Sequence, residues 1–138
     1  MTRYAVDTSV AIPLVLKDHL AHAVTTALIG DRQLFLAGHA AYETFSTMTR
    51  LPGDNRVAPD DAIAILNDRF LGVLLLADEP LVVLGSFAQK GIAGGAVYDA
   101  LVAKSARASH DIVLLSRDLR AANTYARIGV SVEMLLTT

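Results

Sequence analysis

The sequence contains no cysteine. Disulfide bonds, thiolate metal sites and a cysteine nucleophile are therefore excluded, and the absence is compatible with a reducing cytoplasm. Aromatic residues make up only 6% of the chain, which favours closely packed helices over an all-β sandwich. No apolar run approaches the roughly 20 residues that a membrane-spanning helix needs, and the N-terminus lacks the apolar core of a signal peptide. We expect a cytoplasmic protein with no membrane partner.

Positive charge is also scarce. The net charge is −2, whereas nucleic-acid-binding proteins usually carry an excess of lysine and arginine. Composition alone therefore does not indicate an RNA-binding protein. The 53% apolar content of the 138 residues is sufficient for one domain with a substantial core, and we predict a single domain over residues 1–138.

Short apolar segments alternate with helical patterns along the chain. Strands are predicted over residues 4–6, 34–37, 112–115 and 130–134, with residues 71–76 either a strand or the tail of a helix. Helices are predicted over residues 20–29, with Asp18 as the N-cap, and over residues 39–50, 59–69, 79–90, 96–109 and 119–128. This alternation predicts an α/β fold whose mostly parallel sheet is covered by helices on both faces.

Two aspartates follow predicted strands. Asp7 comes directly after the first strand, and Asp118 comes three residues after Leu115. If the strands are parallel, both carboxylates lie at the same edge of the sheet, where ligands bind in open α/β folds. An aspartate between a strand and a helix is also a common N-cap, so position alone leaves both interpretations open.

Two further acids lie on predicted helices. Asp99 has only small or apolar residues at its i−4, i−3, i+3 and i+4 positions. A carboxylate in such a stripe is costly to bury unless a cation or a hydrogen-bond donor meets it. Glu43 has a similar setting but could be a solvated helix residue, with Arg50 two turns on. Asp111 precedes the strand that leads to Asp118, so we expect it at the opposite end of the sheet. The four histidines show no metal-ligand spacing.

Four segments in register resemble the PIN-domain ribonucleases, and specifically the VapC toxins of bacterial toxin–antitoxin pairs. The segments are VDTS at 6–9, AAYETF at 40–45, GGAVYDAL at 94–101 and LLSRD at 114–118, the last followed by Thr124-Tyr125 and Gly129-Val130. The similarity spans essentially the whole chain. One departure is Ser116, where many members carry threonine; a hydroxyl group is retained.

The resemblance implies a PIN-like three-layer α/β/α sandwich with a central sheet of four to five strands. It implies an Mg²⁺-dependent endoribonuclease, with Mn²⁺ as a substitute, that leaves 5′-phosphate and 3′-hydroxyl ends. The implied catalytic and metal-binding residues are Asp7, Glu43, Asp99 and Asp118. Thr8, Ser9 and Ser116 would support these acids by hydrogen bonds, and Arg117 and Arg120 would contact RNA phosphates.

The resemblance also implies partners, namely an RNA substrate, a VapB-type antitoxin that covers the active-site groove, and a second copy of the chain in a homodimer. Two alternatives stay open. One is a catalytically silent RNA- or protein-binding module of the same fold. The other is an aspartyl-phosphate phosphotransfer domain with Asp7 as the nucleophile, although Ser9 stands where such sites usually carry a second acid.

Overall fold

Five strands form one parallel sheet in a computed structural model that describes residues 1–136. The strands are β1 (Arg3–Val6), β2 (Leu34–Ala37), β3 (Val73–Leu74), β4 (Ile112–Ser116) and β5 (Val132–Met134). Their order across the sheet is β3-β2-β1-β4-β5, and every neighbouring pair is parallel. All five carboxyl ends therefore lie at one edge, and β1 is the central strand.

Helices connect successive strands. The α-helices are α1 (Thr8–Val15), α2 (His22–Ile29), α3 (Ala40–Thr49), α4 (Pro59–Arg69), α5 (Pro80–Gln89), α6 (Ala96–Ala106) and α7 (Ala122–Ile128), and 3-10 turns span Gly53–Asn55 and Leu119–Ala121. Within residues 1–136, no helix has the length and apolarity needed to cross a membrane.

Separate hydrophobic cores pack against the two faces of the sheet. Because side chains alternate along a strand, Ala5 joins one core and Val6 joins the other. The first core includes Phe87 of α5 and Tyr125 of α7. The second includes Val10 of α1 and Ile29 of α2. The predicted three-layer α/β/α sandwich is confirmed, with a sheet that is fully parallel and has five strands.

Gly38 packs directly against α6 where β2 ends. It follows β2 with a φ of 51°, a conformation that glycine adopts without steric cost. A Cβ atom at this position would overlap Ser105 Oγ, in the last turn of α6, and lie 3.0 Å from Ser105 Cβ. Glycine is therefore required for both backbone conformation and space.

Several predicted local details were wrong. Asp18 does not cap α2, which begins at His22, because consecutive turns and a hydrogen bond from the Ala21 amide to His19 Nδ1 (3.0 Å) occupy that stretch. The predicted helix over 119–128 starts with a 3-10 turn instead. Of residues 71–76, which were predicted as either a strand or the tail of a helix, Val73–Leu74 form the strand β3. Residues 137 and 138 of the predicted domain lie outside the described residues.

Candidate active site

The four predicted acids line one cavity at the carboxyl edge of the sheet. Asp7 follows β1 and Asp118 follows β4, while Glu43 lies on α3 and Asp99 on α6. The cavity measures about 80 Å³ and is lined by Asp7, Thr8, Ser9, Glu43, Asp99, Val102, Asp118 and Tyr125. Acids from four separate parts of the chain thus meet at one place, and their catalytic and metal-binding roles stay predictions.

Asp7 is buried and its carboxylate accepts four hydrogen bonds. The residue is only 4% exposed. Its Oδ1 accepts from Ser9 Oγ at 2.6 Å and from the Val10 amide at 3.3 Å. Its Oδ2 accepts from Ser116 Oγ at 2.5 Å and from the Tyr125 hydroxyl at 2.7 Å. Four donors compensate the loss of water around a buried charge, and they fix the orientation of the carboxylate.

The serine hydroxyls extend this network towards the end of β4. Ser9 Oγ accepts from the Arg117 amide at 2.8 Å, and Ser116 Oγ accepts from the Asp118 amide at 3.1 Å. Each serine therefore donates to Asp7 and accepts from the backbone that carries Asp118. The predicted support of the acids by Ser9 and Ser116 agrees with this geometry, since the serine at 116 supplies the hydroxyl that the role requires.

Glu43 is oriented from two sides. Thr8 Oγ1 donates to its Oε2 at 3.3 Å, which agrees with the supporting role predicted for Thr8. His39 Nε2 lies 3.5 Å from its Oε1, one helical turn away on α3. The Glu43 side chain stays 40% exposed, so it remains accessible from the cavity mouth.

Asp99 is partly buried and faces the other acids. Its pKa is raised from the ordinary value of 3.8, first by burial and then by repulsion from Asp118, Glu43 and Asp7, while Arg120 acts in the opposite direction. Like charges that crowd together favour the protonated form of one of them. The ionised site is therefore strained electrostatically, and a bound cation would relieve this strain.

The two arginines predicted to contact RNA differ in their surroundings. The Arg117 guanidinium donates to the carbonyl oxygen of Ser9 at 3.3 Å. That carbonyl lacks its usual helical partner because residue 13, four positions on, is a proline without an amide hydrogen. The Arg120 side chain is 94% exposed, with Nε 3.4 Å from Asp118 Oδ1. Arg120 is the better placed of the two to reach a phosphate.

The donor set fits a hard divalent cation. The cavity offers carboxylate and hydroxyl oxygens, which are the ligands that Mg²⁺ prefers. Within residues 1–136, no three His, Asp or Glu side chains are already grouped closely enough to hold an ion. Protein donors occupy both carboxylate oxygens of Asp7. Since Mg²⁺ usually keeps several of its waters, carboxylates can also bind it indirectly.

Two neighbours of the acids were not predicted as site residues. Tyr125 lies on α7 and donates to Asp7, but the sequence gives no indication of this partner, because 118 positions separate the two residues. His39 is different, since it precedes Glu43 by four positions and the i, i+4 spacing predicts their contact.

Comparisons with known proteins agree with this geometry. A PIN-domain family model matches residues 4–127. Ribonuclease VapC27 of Mycobacterium tuberculosis is 52% identical over 129 residues, which cover 93% of each chain. Ribonuclease VapC40 of the same organism is 38% identical over 133 residues, 95% of this chain and 98% of the relative.

A solved structure supports the fold. The DNA-bound VapBC from Salmonella typhimurium aligns with a TM-score of 0.62 and 19% identity, covering 99% of this chain and 100% of the other. The parallel sheet and the acids at its carboxyl edge are those of a PIN domain. The chain belongs to the PIN-domain family, and within it to the VapC ribonucleases.

Replacing Asp99 by Asn should stabilise the protein at neutral pH when no divalent ion is present. A raised folded-state pKa means that ionisation of Asp99 opposes folding, so the penalty is absent below pH 3.8 and grows as the pH rises through the folded-state pKa. We expect a higher urea midpoint for Asp99→Asn than for wild type in EDTA at neutral pH. The difference should shrink in acid.

Asp68→Asn is the matched control, because Asp68 is exposed near the end of α4. It should leave the midpoint almost unchanged. A lower midpoint for Asp99→Asn at neutral pH would mean that the Asp99 carboxylate has a favourable partner, which contradicts the repulsion described above.

Proposed function

We propose that the chain is an Mg²⁺-dependent endoribonuclease toxin that hydrolyses RNA phosphodiester bonds through Asp7, Glu43, Asp99 and Asp118. One observation carries the proposal: these four carboxylates line a single cavity in a chain of the VapC family. The 52% identity to a protein named as a ribonuclease supports the reaction class. Mn²⁺ is expected to substitute for Mg²⁺.

The residues of the site have distinct tasks in this proposal. Glu43, Asp99 and Asp118 are partly exposed and would bind the cation directly or through its waters, alongside Asp7. When bound, Mg²⁺ would neutralise charge on the phosphate and lower the pKa of a bound water. Asp7 is held in one orientation by its four donors. Arg120 is exposed beside Asp118 and would hold a phosphate group of the RNA.

The proposed partners are a VapB-type antitoxin and a second copy of the chain. An apolar groove of about 470 Å³ passes between α3 and α4 and is lined by Phe45, Ile63 and Phe70 among others. Tyr42 lines this groove and also lies next to Glu43, so a segment bound there would end close to the acids. Membership of the VapC family supports an antitoxin as a partner. Exposed apolar side chains at Leu75, Leu81 and Val82 support a dimer interface.

The phosphotransfer alternative is less well supported. An aspartyl nucleophile needs a carboxylate oxygen that is open to the phosphate donor. Asp7 is 4% exposed, and hydrogen bonds occupy both of its oxygens. A cleavage assay distinguishes the catalytically silent binding module from the proposed ribonuclease.

Purified protein should cut a labelled total-RNA pool at discrete positions when Mg²⁺ or Mn²⁺ is present and should not cut it in EDTA. Asp99→Asn should lower the cleavage rate by about a hundredfold or more, because a carboxylate proposed to hold the charge-neutralising cation is lost. Asp68→Asn is the control and should cleave like wild type. Gel separation of the end-labelled products gives both the rate and the positions of the cuts.

Cleavage that survives both EDTA and Asp99→Asn would contradict the proposed site. Folded protein that binds RNA and the metal ion but never cleaves would instead favour the silent module.

The partner proposal predicts a change in mass. The purified chain should have the mass of a dimer by light scattering, and co-expression with a cognate VapB-type antitoxin should give a larger, stable complex. Such a complex should suppress cleavage of the RNA pool. A monomeric mass in dilute solution would contradict the dimer, and a chain that fails to co-purify with any VapB-type protein from the same genome would contradict the antitoxin.

A further inference from the structure

Three aromatic rings lie together at the mouth of the acidic cavity. They belong to His39, Tyr42 and Tyr98, which we name the aromatic platform. The chain has only four tyrosines, and Tyr42 and Tyr98 are 68% and 53% exposed. Large exposed apolar surfaces usually mark a binding site when they cluster, so the clustering of scarce rings at this position needs an explanation.

The rings are arranged as a partial stack. The His39 and Tyr98 rings have centroids 4.8 Å apart and planes 21° apart, which is a stacked arrangement. Tyr42 continues the row, with its centroid 6.1 Å from that of His39 and a tilt of 43°. The exposure of Tyr98 leaves part of its ring open to another flat group.

The aromatic platform adjoins the acids directly. Tyr42 precedes Glu43 on α3, and Tyr98 precedes Asp99 on α6. His39 connects the aromatic platform to the acids, because its ring stacks on Tyr98 while its Nε2 lies 3.5 Å from Glu43 Oε1. A ligand on the platform would therefore lie next to whatever the acids bind.

A shallow depression continues from the platform along α3. Its volume is about 310 Å³, and its lining residues are His39, Tyr42, Glu43, Ser46, Thr47 and Arg50. None of these residues is aliphatic. The lining combines two rings and hydroxyl groups with the Glu43 carboxylate and the exposed guanidinium of Arg50. This lining suits a flat polar group better than an apolar peptide anchor, and Arg50 supplies the positive charge for a phosphate attached to that group.

We propose that the aromatic platform stacks an unpaired base of the RNA substrate beside the bond to be cleaved, with Arg50 contacting a neighbouring phosphate. The inference rests on the proposed ribonuclease function and names the residues that would hold a base of its substrate. In a duplex the base faces are covered by their neighbours, whereas single-stranded segments present faces that aromatic side chains can stack on. The platform therefore needs a base face that a duplex would cover.

Binding measurements in a cleavage-deficient background test the inference. The probes are a fluorescein-labelled oligoadenylate, an oligomer of equal length that contains abasic sites, and a duplex of equal length. All proteins carry Asp99→Asn, and Kd is measured by fluorescence anisotropy with Mg²⁺. Adding Tyr98→Ala or Tyr42→Ala should raise the Kd for oligoadenylate about tenfold, since a stacked base is lost.

Three comparisons separate stacking from other effects. Tyr98→Phe keeps the ring and should bind oligoadenylate like the background protein. The alanine variants should bind the abasic oligomer and the duplex no more weakly than the background does. Leu28→Ala removes an apolar side chain on α2 at the opposite edge of the sheet and should leave every Kd unchanged. Urea unfolding checks that each variant is folded.

Equal losses with the abasic oligomer, or no loss with oligoadenylate, would overturn the inference. So would alanine variants that bind RNA normally but lose the antitoxin, because the platform would then be a protein-binding surface. Failure of the proposed function looks different: wild type would not cleave RNA, although the dependence of binding on the rings would remain.

Discussion

The buried carboxylate of Asp7 is the interaction on which the rest of the site depends. Its four hydrogen bonds come from α1, from the end of β4 and from α7, so one charged group joins three elements around the central strand. Leaving a buried charged group without a partner costs about 1–3 kcal/mol or more. The serine and tyrosine hydroxyls are therefore part of both the folding and the chemistry of this protein.

Capping and function are not alternatives at Asp7 and Asp118. Asp7 caps α1 through the Val10 amide, and Asp118 caps the following 3-10 turn through the Arg120 amide at 3.0 Å. Both also line the acidic cavity. The caps fix each carboxylate at the carboxyl edge. Burial, and then repulsion from the carboxylates crowded there, raise the pKa of Asp99. Repulsion between the ionised carboxylates thus lowers the free energy of unfolding at the place where a cation would bind.

The sequence was sufficient to predict the parallel sheet and the meeting of Asp7 and Asp118, because parallel strands place their ends at one edge regardless of detailed packing. The opposite placement of Asp111, paired with Arg3 at 2.8 Å, follows for the same reason. The place of Glu43 and Asp99 beside Asp7 and Asp118 was implied by the resemblance to the PIN-domain ribonucleases. Contacts between distant segments were not predictable. Tyr125 reaches Asp7 from α7, 118 positions further along the chain, and the Arg117 guanidinium donates to the Ser9 carbonyl oxygen that Pro13 leaves without a helical partner. The predicted cap at Asp18 failed because local turns decided that stretch.

The most direct test of the acidic cavity is a crystal structure with Mn²⁺ and its anomalous difference map. The account predicts a peak in the cavity bounded by Asp7, Glu43, Asp99 and Asp118, and the loss of that peak in Asp99→Asn crystals. A peak that persists in the Asp99→Asn crystals, or one that lies only outside the cavity, would contradict the claim that these carboxylates form a metal site.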